Sequence, residues 1–86
     1  MAKYELLIKP AAVNEIERID GKKDRQRVVQ RIQELAEDPR PKGCEKLTRR
    51  ERYRLRKGSY RIVYAVDDDQ RTVLIVKVGH RKDVYR

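Results

Sequence analysis

Arg52, Arg54, Arg56, Arg61, Lys77, His80, Arg81 and Tyr85 all fall in the second half of an 86-residue chain, and their types are those that phosphodiester chemistry uses. Breaking an RNA strand needs no metal when the strand supplies its own nucleophile, the 2′-hydroxyl, which attacks the neighbouring phosphorus in line. The protein must then fix that geometry, take and give protons, and neutralise charge that builds on the phosphoryl oxygens. Arginine suits the last task, being always protonated and able to grip two oxygens at once. The same permanence makes it a poor base, since its pKa exceeds about 12. His80 and Tyr85 are the candidate proton handlers, and Tyr85 could instead stack on a nucleobase.

The spacing of three of these residues carries more weight than their number. Arg52, Arg54 and Arg56 alternate with Tyr53 and Leu55, so a strand puts three guanidinium groups on one side. A solvated strand face ordinarily mixes Thr, Ser, Lys and Glu, whereas like charges at i, i+2 and i+4 repel unless an anion neutralises them. Taken singly, most of the candidates also have a structural reading. Arg61 could pair across strands with an acid, Arg81 could cap the last segment, and a lone His is more often structural than catalytic. Tyr60, Ile62 and Tyr64 sit at strand spacing suited to a core. Other chemistries find little support. Asp67, Asp68 and Asp69 are adjacent and read as a solvated turn. Gly21, Gly43, Gly58 and Gly79 are scattered singly, so no phosphate-cradling glycine loop is expected. Cys44 reads as a small filler of a strand or loop. One Cys and one His exclude an internal disulfide, a multi-Cys metal site and a two-His metal site.

The elements that must position these groups can be read along the chain. Tyr4 to Ile8 is a short apolar run that reads as a strand. Pro10 suits the first turn of a helix, where its missing N–H costs nothing. Ala12, Val13, Ile16 and Ile19 follow at helical spacing, and Asp20-Gly21 closes the segment. A second helix begins near Lys22 to Asp24, with Val28, Val29, Ile32, Leu35 and Ala36 in one stripe, and Asp38-Pro39 stops it. Few residues separate the two helices, which predicts an antiparallel pair. Beyond the loop Arg40-Pro41-Lys42-Gly43 the period changes. Tyr53 to Arg56, Tyr60 to Val66 and Thr72 to Val78 read as strands, joined at Lys57-Gly58-Ser59 and Asp67 to Gln70 into an antiparallel meander. The pattern β-α-α-β-β-β is α+β, with two helices on one face of a small antiparallel sheet and the other face open.

Composition bounds the partners. The chain is short enough for a single domain, residues 1–86, since domains usually run to about 100–150 residues. Leu, Ile and Val supply 21 of its residues while Phe and Trp are absent, so the core must be aliphatic with help from five Tyr. Apolar runs such as Val73 to Val76 are far shorter than the roughly 18 residues of a membrane span. Met1 to Pro10 holds neither a long apolar run nor a cleavage pattern, so no secretory signal and no membrane partner are expected, and a single Cys suits a reducing cytoplasm. The net charge is +9, and its distribution is uneven. Residues 1–39 hold eight basic and eight acidic residues, whereas residues 40–86 hold 15 and six. Such asymmetry points to a polyanionic partner, most plainly nucleic acid. Arg49, Arg50, Arg56, Lys57, Lys77 and Lys82 are the candidate RNA-binding residues around the central set.

Four segments extend this reading: Lys9-Pro10-Ala11-Ala12, the loop Asp38 to Gly43, the run Tyr53-Arg54-Leu55-Arg56-Lys57-Gly58-Ser59-Tyr60-Arg61-Ile62-Val63-Tyr64, and the ending Val78-Gly79-His80-Arg81-Lys82-Asp83-Val84-Tyr85. With them the chain resembles, over nearly its whole length, the RelE branch of the RelE/ParE superfamily of bacterial and archaeal type II toxins. The resemblance implies a compact fold with helices on one side of an antiparallel sheet. It implies an mRNA interferase that cuts messenger in the ribosomal A site, with no metal or other cofactor, leaving a 2′,3′-cyclic phosphate. It also implies a cognate, RelB-like antitoxin that wraps the toxin and occupies or distorts its basic groove. Arg61 matches the family arginine that stabilises the transition-state phosphate, Arg81 the one that assists the leaving group or holds phosphate, and Tyr85 the tyrosine that orients substrate near the 2′-hydroxyl. Arg52 and Arg54 fall where well-studied members carry lysines. Lysine in an electropositive cleft can act as base and arginine cannot, so Arg52 and Arg54 are expected to act as electrostatic and positioning groups and His80 to assist proton transfer. Two alternatives stand beside this: a ParE-like inhibitor of DNA gyrase without ribonuclease activity, and a non-enzymatic module that binds RNA or the ribosome.

Overall fold

The computed structural model describes residues 3–47 and 52–80. Strand β1 (Glu5–Ile8) leads into helices α1 (Pro10–Glu17) and α2 (Lys22–Glu34), which are followed by strands β2 (Glu45–Lys46), β3 (Arg52–Lys57), β4 (Tyr60–Asp67) and β5 (Thr72–His80). The α+β class and the order of the expected elements hold.

Local chemistry explains where the helices begin and end. Lys9 is extended (φ −63°, ψ 145°), as a residue before proline prefers, and Pro10 opens α1. Gly21, at φ +94°, makes the turn into α2, a conformation that a residue with a Cβ adopts only with strain. On α2, Val28 and Ile32, with Leu35 at its C-cap, point inward and are essentially inaccessible. Each such aliphatic side chain contributes about 1.5–3 kcal/mol on burial. Ala12 and Ile19 bury the underside of the first helical segment, while Val13 stays exposed.

The helices lie on one face of the sheet, α1 over β5 and α2 over β3. Leu55, Ile62, Val66, Val73, Ile75 and Val78 meet them from below. In a core without Phe or Trp, Tyr53 and Tyr64 supply the bulk, their rings stacked with centroids 5.6 Å apart. The Tyr64 hydroxyl donates to the Pro39 carbonyl at 2.7 Å, so the group is satisfied where it is buried, and burial pushes its phenol pKa up.

The strand order is β1-β5-β4-β3-β2. The β3-β4-β5 meander is antiparallel, as expected, but three features go beyond the sequence reading. A short edge strand, β2, pairs with β3 through Glu45↔Arg54 and Lys46↔Tyr53. β1 runs parallel to β5, making the sheet mixed, because the chain leaves β1 straight into helices that cross over the sheet before the strands return. A bulge interrupts the β4-β5 ladder: Val63 pairs with Lys77 while Tyr64 pairs with Ile75, so Val76 is an extra residue on β5. Among the described residues, no helix is long and apolar enough to cross a membrane.

The end of the molecule that carries the N-terminal segment is tied together by one polar cluster. Arg40 donates to Asp68 from both terminal nitrogens, at 3.1 and 2.8 Å. Its Nε donates to the Tyr53 hydroxyl at 2.8 Å, and the Tyr4 hydroxyl donates to Asp68 Oδ1 at 2.8 Å. Segments far apart in sequence are thereby joined.

Candidate functional site

The face of the sheet away from the helices is built by cross-strand register. Residues directly opposite one another share a face. Arg54 pairs with Val63 and Glu45, Arg56 pairs with Arg61, and Arg61 pairs in turn with Gly79. Arg52, opposite Ala65, lies on the same side by alternation. The intervening Tyr53 and Leu55 are buried on the helix side. The expectation that Arg52, Arg54 and Arg56 share one face therefore holds, and the register adds Arg61 to them from the next strand.

Arg61 is 4% exposed, the one buried charged residue among those described. It stands directly opposite Arg56, an arrangement of like charges that is unfavourable without an anion nearby. Among the described residues, Glu45 brings a carboxylate to this face. Its Oε2 accepts from Arg54 Nη2 at 2.8 Å, and Arg56 Nη2 lies 3.9 Å from Oε1. The Arg54 hydrogen bond, followed by the charges of Arg54, Arg56 and Arg61, holds the Glu45 carboxyl below the usual carboxylate range. Among the described residues, four guanidinium groups and one ionised carboxylate thus share this face. It carries surplus positive charge at a surface formed by rigid strands, suited to a phosphate backbone.

The other candidates are placed differently. His80 pairs with Tyr60, and its ring packs edge-on against the Tyr60 ring with centroids 5.6 Å apart. It lines a cleft of about 260 Å³ with Glu15, Arg18 and Asp20, on the helix side of the sheet. His80 and Arg61 therefore lie on opposite faces, and the bulge is the reason. Uninterrupted alternation from Val73 and Ile75 would have put His80 on the open face, but the extra Val76 reverses the parity beyond it, so that Val78 and His80 turn to the helices. Lys77, although opposite Val63, reaches toward α1, with Nζ 3.3 Å from Glu15 Oε2, and the other oxygen of Glu15 accepts from the Val78 amide at 3.1 Å. Lys57 faces a cleft beside Asp24 and Arg27 of α2. Arg49, Arg50, Arg81, Lys82 and Tyr85 lie outside the described residues.

Sequence reasoning missed Glu45. The available signal was an acidic residue in the strongly basic stretch between Arg40 and Lys57, where Glu51 is the only other acid.

The sequence profile of a family described as the ParE toxin of the type II toxin-antitoxin system parDE matches residues 6–85. Toxin RelG of Mycobacterium tuberculosis is 52% identical over 31 residues, a stretch amounting to 36% of this chain and 36% of that protein. The toxin in the RelBE2 toxin-antitoxin complex of M. tuberculosis superimposes with a TM-score of 0.78 at 26% identity, covering 92% of this chain and 99% of that one. A variant of the E. coli toxin RelE in the free state gives 0.79 at 28% identity, covering 99% and 92%.

Proposed function

Because the chain belongs to the RelE/ParE superfamily of type II toxins, we propose that it is a metal-independent endoribonuclease that cuts messenger on the ribosome and so arrests translation. The observation that carries this reading is the clustering of Arg52, Arg54, Arg56 and Arg61 on the uncovered face, with Arg61 held rigidly by burial. In this reading the 2′-hydroxyl attacks the adjacent phosphorus while Arg61, fixed before substrate arrives, neutralises the developing charge on the phosphoryl oxygens. Arg52 and Arg54 grip the flanking backbone. Arg81 and Tyr85 keep the roles the resemblance gives them, on the leaving group and near the 2′-hydroxyl. His80, on the far side of the sheet, takes no part in proton transfer. The cognate antitoxin, RelB-like by analogy with the RelBE complex, neutralises the protein by covering the basic face.

Purified protein added to ribosomes programmed with a defined messenger is expected to yield discrete cuts. Arg61→Ala should lower the cleavage rate by about 100-fold or more, the usual effect of removing one transition-state donor. Arg61→Lys, which keeps the charge, should retain more activity, and thermal melting of both variants separates lost chemistry from lost fold. The matching family profile favours one rival, inhibition of DNA gyrase. A supercoiling assay run in parallel decides between them: inhibited supercoiling with intact messenger would overturn the ribonuclease reading.

A further inference from the structure

The basic face is already occupied by an anion of the protein's own. Glu45 projects from a two-residue edge strand onto guanidinium groups of β3, with Arg54 at 2.8 Å and Arg56 at 3.9 Å, and Arg61 contributes to its electrostatic surroundings. A carboxylate and a phosphate offer an arginine fork the same pair of acceptor oxygens. We propose that Glu45 is a built-in stand-in for a backbone phosphate, which an incoming strand must displace, so that the face accepts a chain of several phosphates and rejects an isolated anion.

The selectivity follows from tethering. Glu45 is fixed on the strand next to Arg54, so its carboxylate competes at an effective concentration in the millimolar range or above. A free phosphate ion at low millimolar concentration gains one contact and loses the contest. A strand engages Arg52 and its neighbours as well, so its exchange at Arg54 becomes an intramolecular step with an equally high effective concentration. The edge strand is suited to such an exchange. It is held by two ladder positions and by the Leu47 amide donating to the Arg52 carbonyl at 2.9 Å, and the Glu45 side chain is half exposed. Meanwhile the carboxylate offsets part of the charge of Arg54 and Arg56 in the free protein.

This inference rests on the nucleic-acid reading above, and its test is separable from it. The probe is a short single-stranded RNA with 2′-O-methyl groups throughout, which lacks the nucleophile and cannot be cut, and binding to the full chain is followed by fluorescence anisotropy. Glu45→Gln should bind roughly three- to fivefold tighter than wild type, the worth of one exposed ion pair. Its salt dependence should steepen by about one unit of slope, since solution counterions rather than Glu45 now leave the arginines. Inorganic phosphate at low millimolar concentration should compete with the probe on Glu45→Gln and not on wild type. Glu45→Asp should restore wild-type behaviour in part, an outcome that loss of a merely structural side chain would not give. Equal or weaker binding by Glu45→Gln, measured at a temperature where the variant is fully folded, would overturn the proposal. So would slower cleavage at equal affinity, which would give Glu45 a role at the reacting proton instead. Tighter binding without any messenger cleavage by wild type would sink the ribonuclease and leave the exchange standing, whereas cleavage without the affinity gain would sink the exchange alone.

Discussion

Two arginine–carboxylate pairs, each at 2.8 Å, sit in different parts of the molecule and do different work. Arg40 and Asp68 meet through two hydrogen bonds, with the Tyr4 and Tyr53 hydroxyls bonded to the same pair. Arg54 and Glu45 meet on the open face of the sheet, where the same carboxylate also lies 3.9 Å from Arg56. The first cluster joins segments far apart in sequence, so it braces the α2-β2 loop, the β4-β5 turn and the N-terminal segment. The second lies on the face that the helices leave open, where among the described residues Arg52, Arg54, Arg56 and Arg61 gather beside Glu45. Contact distance does not separate a brace from a site here; placement in the fold does.

The largest effect is expected from exchanging charge on each side. Arg54→Glu adds a carboxylate against Glu45 and removes a phosphate contact, and should weaken binding of the uncleavable RNA by about tenfold or more while flattening its salt dependence. Its unfolding midpoint should fall as well, because the Arg54 side chain is only 16% exposed, so binding is compared at a temperature where the variant is fully folded. Arg40→Ala should lower the unfolding midpoint through the lost hydrogen bonds while leaving RNA affinity within about twofold. Equal losses of binding in both variants would mean that the positive charge acts as a diffuse field and not as a constructed face.

What the sequence made legible was whatever has a period. The alternation of Arg52, Arg54 and Arg56 placed them on one side, and the stripe Val28, Ile32 and Leu35 placed α2 against the core. Features without a period escaped. A strand of two residues, Glu45–Lys46, is too short to alternate, so the carboxylate at the centre of the basic face went unseen. The parallel pairing of β1 with β5 joins residues more than sixty positions apart, which no local pattern reports. The bulge at Val76 adds one residue that looks like any other apolar strand residue, yet it turns His80 away from Arg61. Register is a long-range property, and one inserted residue reverses every side chain beyond it.

Tyr64→Phe probes the brace from inside the core. The ring stays and its stacking on Tyr53 is retained, but the Pro39 carbonyl loses the hydroxyl that donates to it at 2.7 Å. Leaving that buried acceptor without its partner should cost about 1–2 kcal/mol, read as a lower urea midpoint with an unchanged slope. RNA affinity should not follow, since Tyr64 lies on the helix side. A coupled fall in affinity would show that the brace transmits its order to the basic face.

The smallest expected effect is a change in shape of the pH–stability curve. The Arg40 hydrogen bonds, then the Tyr4 hydroxyl, hold the Asp68 carboxyl below its usual range, and Asp68 holds the Tyr4 phenol above its own. A carboxylate with a lowered folded pKa adds stability that is fully present above the unfolded value of about 4 and lost as pH falls through the folded value. Asp68→Asn removes that contribution. Its midpoint should lie below wild type at neutral pH, fall less on acidification, and converge with wild type once Asp68 is protonated. Glu45→Gln should flatten the same acidic limb, because the Glu45 carboxyl is lowered too, but it alone should tighten RNA binding at neutral pH. A constant offset between the Asp68→Asn and wild-type curves down to the lowest pH would mean that packing, and not the ion pair, accounts for what Asp68 contributes.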